Sequence, residues 1–182
     1  MTEQVTDIGQ YTFTASDYLL LDTSVWLLIY GPQAPVDSRV ARYSGALRRI
    51  LEAQSHIFID LIVLSEFVNI YARNVYARVK SAPGGQKPSF KEFRRSAEFQ
   101  LVAQGIASDA KRILEQCNWI NGGFDLSVID HMLDDLASGE FDFNDKIIAA
   151  HCTNLGLKLV TDDSDFKNFN IPIITANSRL LV

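Results

Sequence analysis

The sequence predicts an α/β domain, a three-layer α/β/α sandwich on a central, mainly parallel sheet. Short apolar runs at Tyr18–Leu21, 57–59, 158–161 and Ile173–Thr175 alternate with longer stretches of helical periodicity. Strands separated by helices pair in parallel, and their crossovers lay helices on both faces. An acid also stands beside an apolar run in four places: YLLLDTS, IVLSEFV, FNDKIIAA and KLVTDDSDF. At the carboxyl ends of parallel strands, loops converge on one crevice where ligands bind.

Each element has its own warrant. Residues 1–17 read as a loosely attached arm. Tyr18–Leu21 is continuously apolar, as a strand buried on both faces is. A short helix through Val25, Trp26, Ile29 and Tyr30 stops at Gly31 and Pro32. A second follows Pro35, with Val40, Leu47, Ile50 and Leu51 on one face. After the strand at 57–59, a long helix spans 62–79 and carries Glu66. The stretch SAPGGQKPS holds two prolines and two glycines, which no helix continues through. More helix follows over 90–116, in one piece or two, and Trp119 and Ile120 form a short edge strand. Leu126, Ile129, Leu133 and Leu136 make a helical stripe that Gly139 ends. Asp142 caps the next helix, which runs to Gly156. No repeat or internal boundary interrupts 18–182, which reads as a single domain.

Composition narrows the function. The 182 residues are 47% hydrophobic and 21% charged, as in an ordinary globular domain. Cys117 and Cys152 have neither metal-ligand spacing nor disulfide density, which fits a reducing cytoplasmic setting. The first residues lack the apolar stretch of a signal peptide, and no run is long enough to cross a bilayer. The net charge of −5 argues against indiscriminate nucleic-acid binding. The charge is polarised, however. Residues 73–95 carry seven Lys or Arg against one Glu, a surplus of six positive charges. Residues 109–165 carry twelve acids against four bases, a surplus of eight negative charges. Such a pairing suits a metal site beside a phosphate track; a solvated helix surface explains either run alone.

Taken singly, the four acids also have bland readings. Asp22 and Thr23 stand where a helix cap belongs. Glu66 reaches solvent or pairs with Arg73. Asp145 complements a helix dipole. Asp163 sits in a turn that Asp162 and Asp165 cap. Together they are harder to dismiss. At ~5 Å and an effective dielectric of ~20, two carboxylates repel by roughly 3 kcal/mol. A hard divalent cation, Mg²⁺ or Mn²⁺, relieves that repulsion. His56, His131 and His151 are scattered and are not read as zinc ligands. A haloacid-dehalogenase-type phosphatase would need a second Asp where Ser24 stands. A nucleotide-binding loop would need glycines after Leu21, and the first is Gly31.

The order Asp22-Thr23-Ser24, Ser65-Glu66, Asp145-Lys146-Ile147-Ile148-Ala149-Ala150 and Thr161-Asp162-Asp163-Ser164-Asp165-Phe166 resembles a PIN domain. The likeness runs from Tyr18 to about Thr175. It implies a small α/β/α sandwich and a metal-dependent ribonuclease, often the toxin of a type II, VapBC-type toxin–antitoxin pair. By the resemblance, Asp22, Glu66, Asp145 and Asp163 are the catalytic acids and the ligands of Mg²⁺ or Mn²⁺. Ser24 and Thr161 orient them. It further implies an RNA substrate, products with 5′-phosphate and 3′-hydroxyl ends, an antitoxin partner and a homodimer. Two features depart from the pattern. Lys146 replaces a small apolar residue, and Glu66 and Asp145 stand 79 residues apart. The added length holds a basic helical insertion around 73–95. There, Arg73, Arg78, Lys80, Lys87, Lys91, Arg94 and Arg95 are candidates for RNA phosphates. Tyr71 and Tyr76 are candidates for base stacking or for the core. An RNA-processing nuclease of the same family, or a non-catalytic RNA or protein interaction module on the same fold, stays open.

Overall fold

The computed structural model describes residues 5–32, 37–82, 88–139 and 142–181. Among them the chain runs β1 (Val5–Asp7), β2 (Tyr18–Leu21), α1 (Thr23–Tyr30), α2 (Ser38–Glu52), β3 (His56–Ile59), α3 (Leu61–Ser81), α4 (Phe90–Phe93) and α5 (Ala97–Gln116). It continues with β4 (Asn118–Trp119), α6 (Leu126–Ser138), α7 (Phe143–Leu155), β5 (Lys158–Val160), a 3₁₀ turn (Ser164–Asn168) and β6 (Ile173–Thr175). The strands form one sheet in the order β1-β6-β5-β2-β3-β4, and all pairs are parallel. Among the described residues, six parallel strands flanked by seven helices make the expected α/β/α sandwich.

The strand order positions the site. From β2 the chain builds outward through β3 and β4, then returns to add β5 and β6 on the other side. The order of strand addition therefore reverses between β2 and β5, and the crevice at their carboxyl ends is where such folds bind ligands. Leu21 pairs with Val160 there, and Asp22 N donates to Val160 O at 3.0 Å. Leu19, Leu20, Ile57, Ile59, Leu159, Val160, Ile173 and Ile174 are buried. Helices cover both faces, so the short strands read as unbroken apolar runs.

Three expectations need correction. The segment before Tyr18 is tied in. Val5–Asp7 pairs with β6, Ile8 is buried, and Arg42 and Arg49 of α2 bond Asp7, Ile8 O and Tyr11 O. A three-residue strand is too short to show periodicity, yet it covers an edge that β6 would otherwise leave open. In α2 the buried face is Tyr43, Ala46, Leu47 and Ile50, and Leu51 is exposed. Of the two readings left open for 90–116, the structure has two helices, because Ser96 caps α5 by accepting from Phe99 N. The stripe on α6 did locate a helix, but Leu126, Leu133 and Leu136 are exposed while Met132 is buried. Pro35, Lys87 and the centre of the SAPGGQKPS break lie outside the described residues.

Candidate active site

Asp22 ends β2 and caps α1, which explains both its position and its burial. Its Oδ1 accepts from Thr23 N at 2.6 Å. Its Oδ2 accepts from Ser24 Oγ at 2.6 Å and from Thr161 Oγ1 at 2.8 Å. Burial pushes the carboxyl above its usual range, and nearby Asp163 pushes the same way; the hydrogen bonds from Ser24, Thr161 and Thr23 oppose the shift.

Glu66 sits in the second turn of α3 and turns toward Asp22. Its Oε2 accepts from Thr23 Oγ1 at 2.9 Å, and its Oε1 accepts from Asn144 Nδ2 at 2.5 Å. Its hydrogen bonds therefore go to the crevice residues. Asp145 lies in the first turn of α7, which Asp142 caps by accepting from Asn144 N. Burial raises Asp145 to about 7, with further pushes from Asp142, Asp22, Asp163 and Glu66. Its carboxyl thus feels all three of the other acids singled out in the sequence. Lys146 pairs with Asp135 of α6 at 2.7 Å and lies 5.7 Å from the Phe169 ring centroid, so it braces α7 against its neighbours.

Thr161 ends β5 and joins the two sides of the switch point. Its hydroxyl donates to Asp22 and accepts from Asp163 N at 2.9 Å. The Asp163 side chain accepts from Asp165 N at 3.0 Å. Asp162 faces α2 instead. It pairs with Arg39 at 2.7 Å and accepts from Tyr43 OH at 3.0 Å, while its backbone N–H donates to Ser24 Oγ. Asp162 and Tyr43 therefore clamp the loop that presents Asp163.

One connected chain of hydrogen bonds thus runs from Asn144 through Glu66, Thr23, Asp22 and Thr161 to the backbone of Asp163. Among the described residues, no three His, Cys, Asp or Glu side chains are grouped closely enough to hold an ion as they stand. The donor set nevertheless fits a hard divalent cation. It is all oxygen, Asp163 adds to the raised pKa of Asp22 and the other three acids add to that of Asp145, and hydroxyls and an amide hold Asp22 and Glu66 in place.

Sequence reasoning missed several neighbours. Thr23 and Asn144 adjoin two of the acids, and that adjacency was the available signal. Asp60 caps α3 and pairs with His151 at 3.3 Å, both groups being buried. It fixes α7 against β3, and no local pattern announces it. His56 stacks on Tyr18, and His131 Nδ1 lies 2.6 Å from Ser127 O within α6.

Of the basic stripe, Arg73, Arg78 and Lys80 lie on α3, Lys91 lies on α4, and Arg94 and Arg95 directly follow α4. The Arg73 and Arg94 guanidiniums lie 5.2 and 6.0 Å from the Phe90 ring centroid. Lys91, Arg94 and Arg95 line a cavity of about 360 Å³ with Phe90. Arg78 donates to Pro32 O, and Lys80 is exposed in the last turn of α3. Tyr76 donates to Pro88 O and packs on Phe90 and Phe93, and Tyr71 packs edge-on against Phe67. Both tyrosines serve packing.

The fold and the site together define a parallel α/β/α sandwich whose acids gather at the switch point between β2 and β5. Residues 19–172 match the model of the PIN domain, and the chain belongs to the PIN-domain family. PIN domains are in general nucleases that use divalent metal ions and act on RNA or other nucleic acid. No curated protein matches the chain.

Proposed function

We propose that this protein is a divalent-metal-dependent endoribonuclease. The observation that carries the reading is the hydrogen-bond chain that ties Asp22, Glu66 and the Asp163 backbone together, with Asp145 inside the field of all three acids. Asp22, Glu66, Asp145 and Asp163 would hold Mg²⁺ or Mn²⁺. Bound there, the ion would polarise a backbone phosphate and lower the pKa of an attacking water. Ser24 and Thr161 hold Asp22 in place. Thr23 and Asn144 do the same for Glu66. Flanking phosphates would meet Arg73, Arg78, Lys80, Lys87, Lys91, Arg94 and Arg95 of the basic insertion.

The cellular setting we favour is the toxin half of a type II toxin–antitoxin pair, acting in the cytoplasm as a homodimer with an antitoxin partner. What supports a protein partner is the set of exposed leucines on one helix, Leu126, Leu133 and Leu136 of α6. No helix among the described residues is long and apolar enough to cross a membrane.

The test is cleavage of single-stranded RNA by the purified chain with and without Mn²⁺, beside Asp22→Asn. Cleavage that needs the ion and vanishes in the variant is expected. An Asp22→Asn protein that cuts as fast as the parent sinks the assignment. Growth arrest on expression, relieved by Asp145→Asn, is expected of the toxin; unimpaired growth with an active enzyme favours a processing role.

A further inference from the structure

Beside Asp163 the surface opens into a cavity of about 460 Å³ lined by Ser24, Arg39, Asp163, Ser164, Asn177 and Arg179, among others. Its two arginines are in different states. Arg39 is answered within the chain, by Asp37 at 2.7 Å and by Asp162 at 2.7 Å. Arg179 has no ion-pair partner among the described residues. Its position is nonetheless built. Asn177 Nδ2 donates to Asp162 O at 2.6 Å, Asn177 N donates to Thr175 Oγ1 at 2.9 Å, and Arg179 N donates to Asn177 Oδ1 at 3.0 Å. These bonds fold the segment after β6 back across the carboxyl end of β5. An unanswered guanidinium is thereby brought to a cavity that shares Ser24 and Asp163 with the acid crevice. A planar guanidinium fork with a hydroxyl beside it suits a phosphate oxyanion. Asn177 and Arg179 also lie beyond the stretch that matches the family, so they belong to this chain's own C-terminal segment.

We propose that Arg179, with Ser164, holds the nucleic-acid phosphate next to the scissile one, on the β5–β6 side of the acids. This rests on the nuclease reading and deepens it: the substrate must offer a backbone phosphate on that side of the cut. The subsite lies on the part of the crevice edge built from α2, β5 and β6, whereas the described residues of the basic stripe lie on α3, on α4 and directly after α4.

The experiment uses the full chain and a fluorescent single-stranded RNA made as a series, each member carrying one neutral methylphosphonate. Binding is read by anisotropy and cleavage by kcat/KM. One position is expected to cost the parent roughly tenfold, the scale of one charge-assisted hydrogen bond. Arg179→Gln is expected to lose a similar factor on unmodified RNA and then to show no further loss at that one position. Arg179→Lys is expected to recover part of the binding, and Lys111→Gln, on the outer face of α5, to match the parent. Losses that multiply at every position, or parental binding by Arg179→Gln, overturn the proposal, as does a parent that binds no RNA. A parent that binds RNA but never cuts it overturns the nuclease reading instead, and the anisotropy series still decides Arg179.

Discussion

Asn144 Nδ2 donates to Glu66 Oε1 at 2.5 Å, which ties the first turn of α7 to the second turn of α3. These residues are 78 positions apart in sequence. The bond fixes the orientation of one acid from the helix that presents the next, and Thr23 holds the other Glu66 oxygen. Removing a group that braces a metal-binding carboxylate in this way typically costs about 10–100-fold in metal affinity or activity.

Asn144→Ala should therefore weaken Mn²⁺ binding by about 10–100-fold with little change in the metal-free melting temperature. A Mn²⁺ titration followed by thermal shift measures this. Unchanged affinity would show that Glu66 needs no brace.

Mn²⁺ should stabilise the parent and not Asp22→Asn. At 100-fold excess over Kd, a ligand of the native state adds about 2.7 kcal/mol. For a chain of this size that is a rise in Tm of roughly 5–10 °C. Without metal, Asp22→Asn should melt at or above the parent temperature, because it removes a buried charge from among other acids. An equal Mn²⁺ shift in both proteins would place the ion elsewhere.

Asp17 gives a pH signature away from the acids. It is buried, and it accepts from Lys158 Nζ, Tyr11 OH and Thr14 N. Burial raises its pKa, but those hydrogen bonds outweigh it and hold the carboxyl below its usual value of 3.8. A depressed carboxylate adds stability above its unfolded pKa, and that stability is lost as pH falls through the folded one. Asp17→Asn should thus lower stability at pH 7 by on the order of 1–3 kcal/mol, seen as a lower Tm. It should also flatten the acid limb below pH 3.8. Tm measured from pH 7 down to about pH 2 checks both.

Neutralising Arg94 and Arg95 together should reduce RNA affinity and flatten its salt dependence. Each lost phosphate contact on a single strand lowers the slope of log K against log salt by about 0.7. A slope equal to the parent's would reduce the stripe to a solvated surface.

The sequence alone determined the order of the main elements after Tyr18, and through it which acids stand at strand ends or in first helical turns. Asp22, Asp145 and Asp163 were legible because caps and apolar runs are local signals. So was the fold class, since alternating runs and helices leave few topologies. The tertiary structure decided the rest. Whether Glu66 turned to solvent, to Arg73 or to the crevice depended on how α3 is rotated against α1 and α7. β1, the Asp60–His151 pair, the Arg39–Asp162 clamp and the place of Arg179 likewise depend on strand order. Each joins residues far apart in the chain, and only the assembled sheet sets the distance between them.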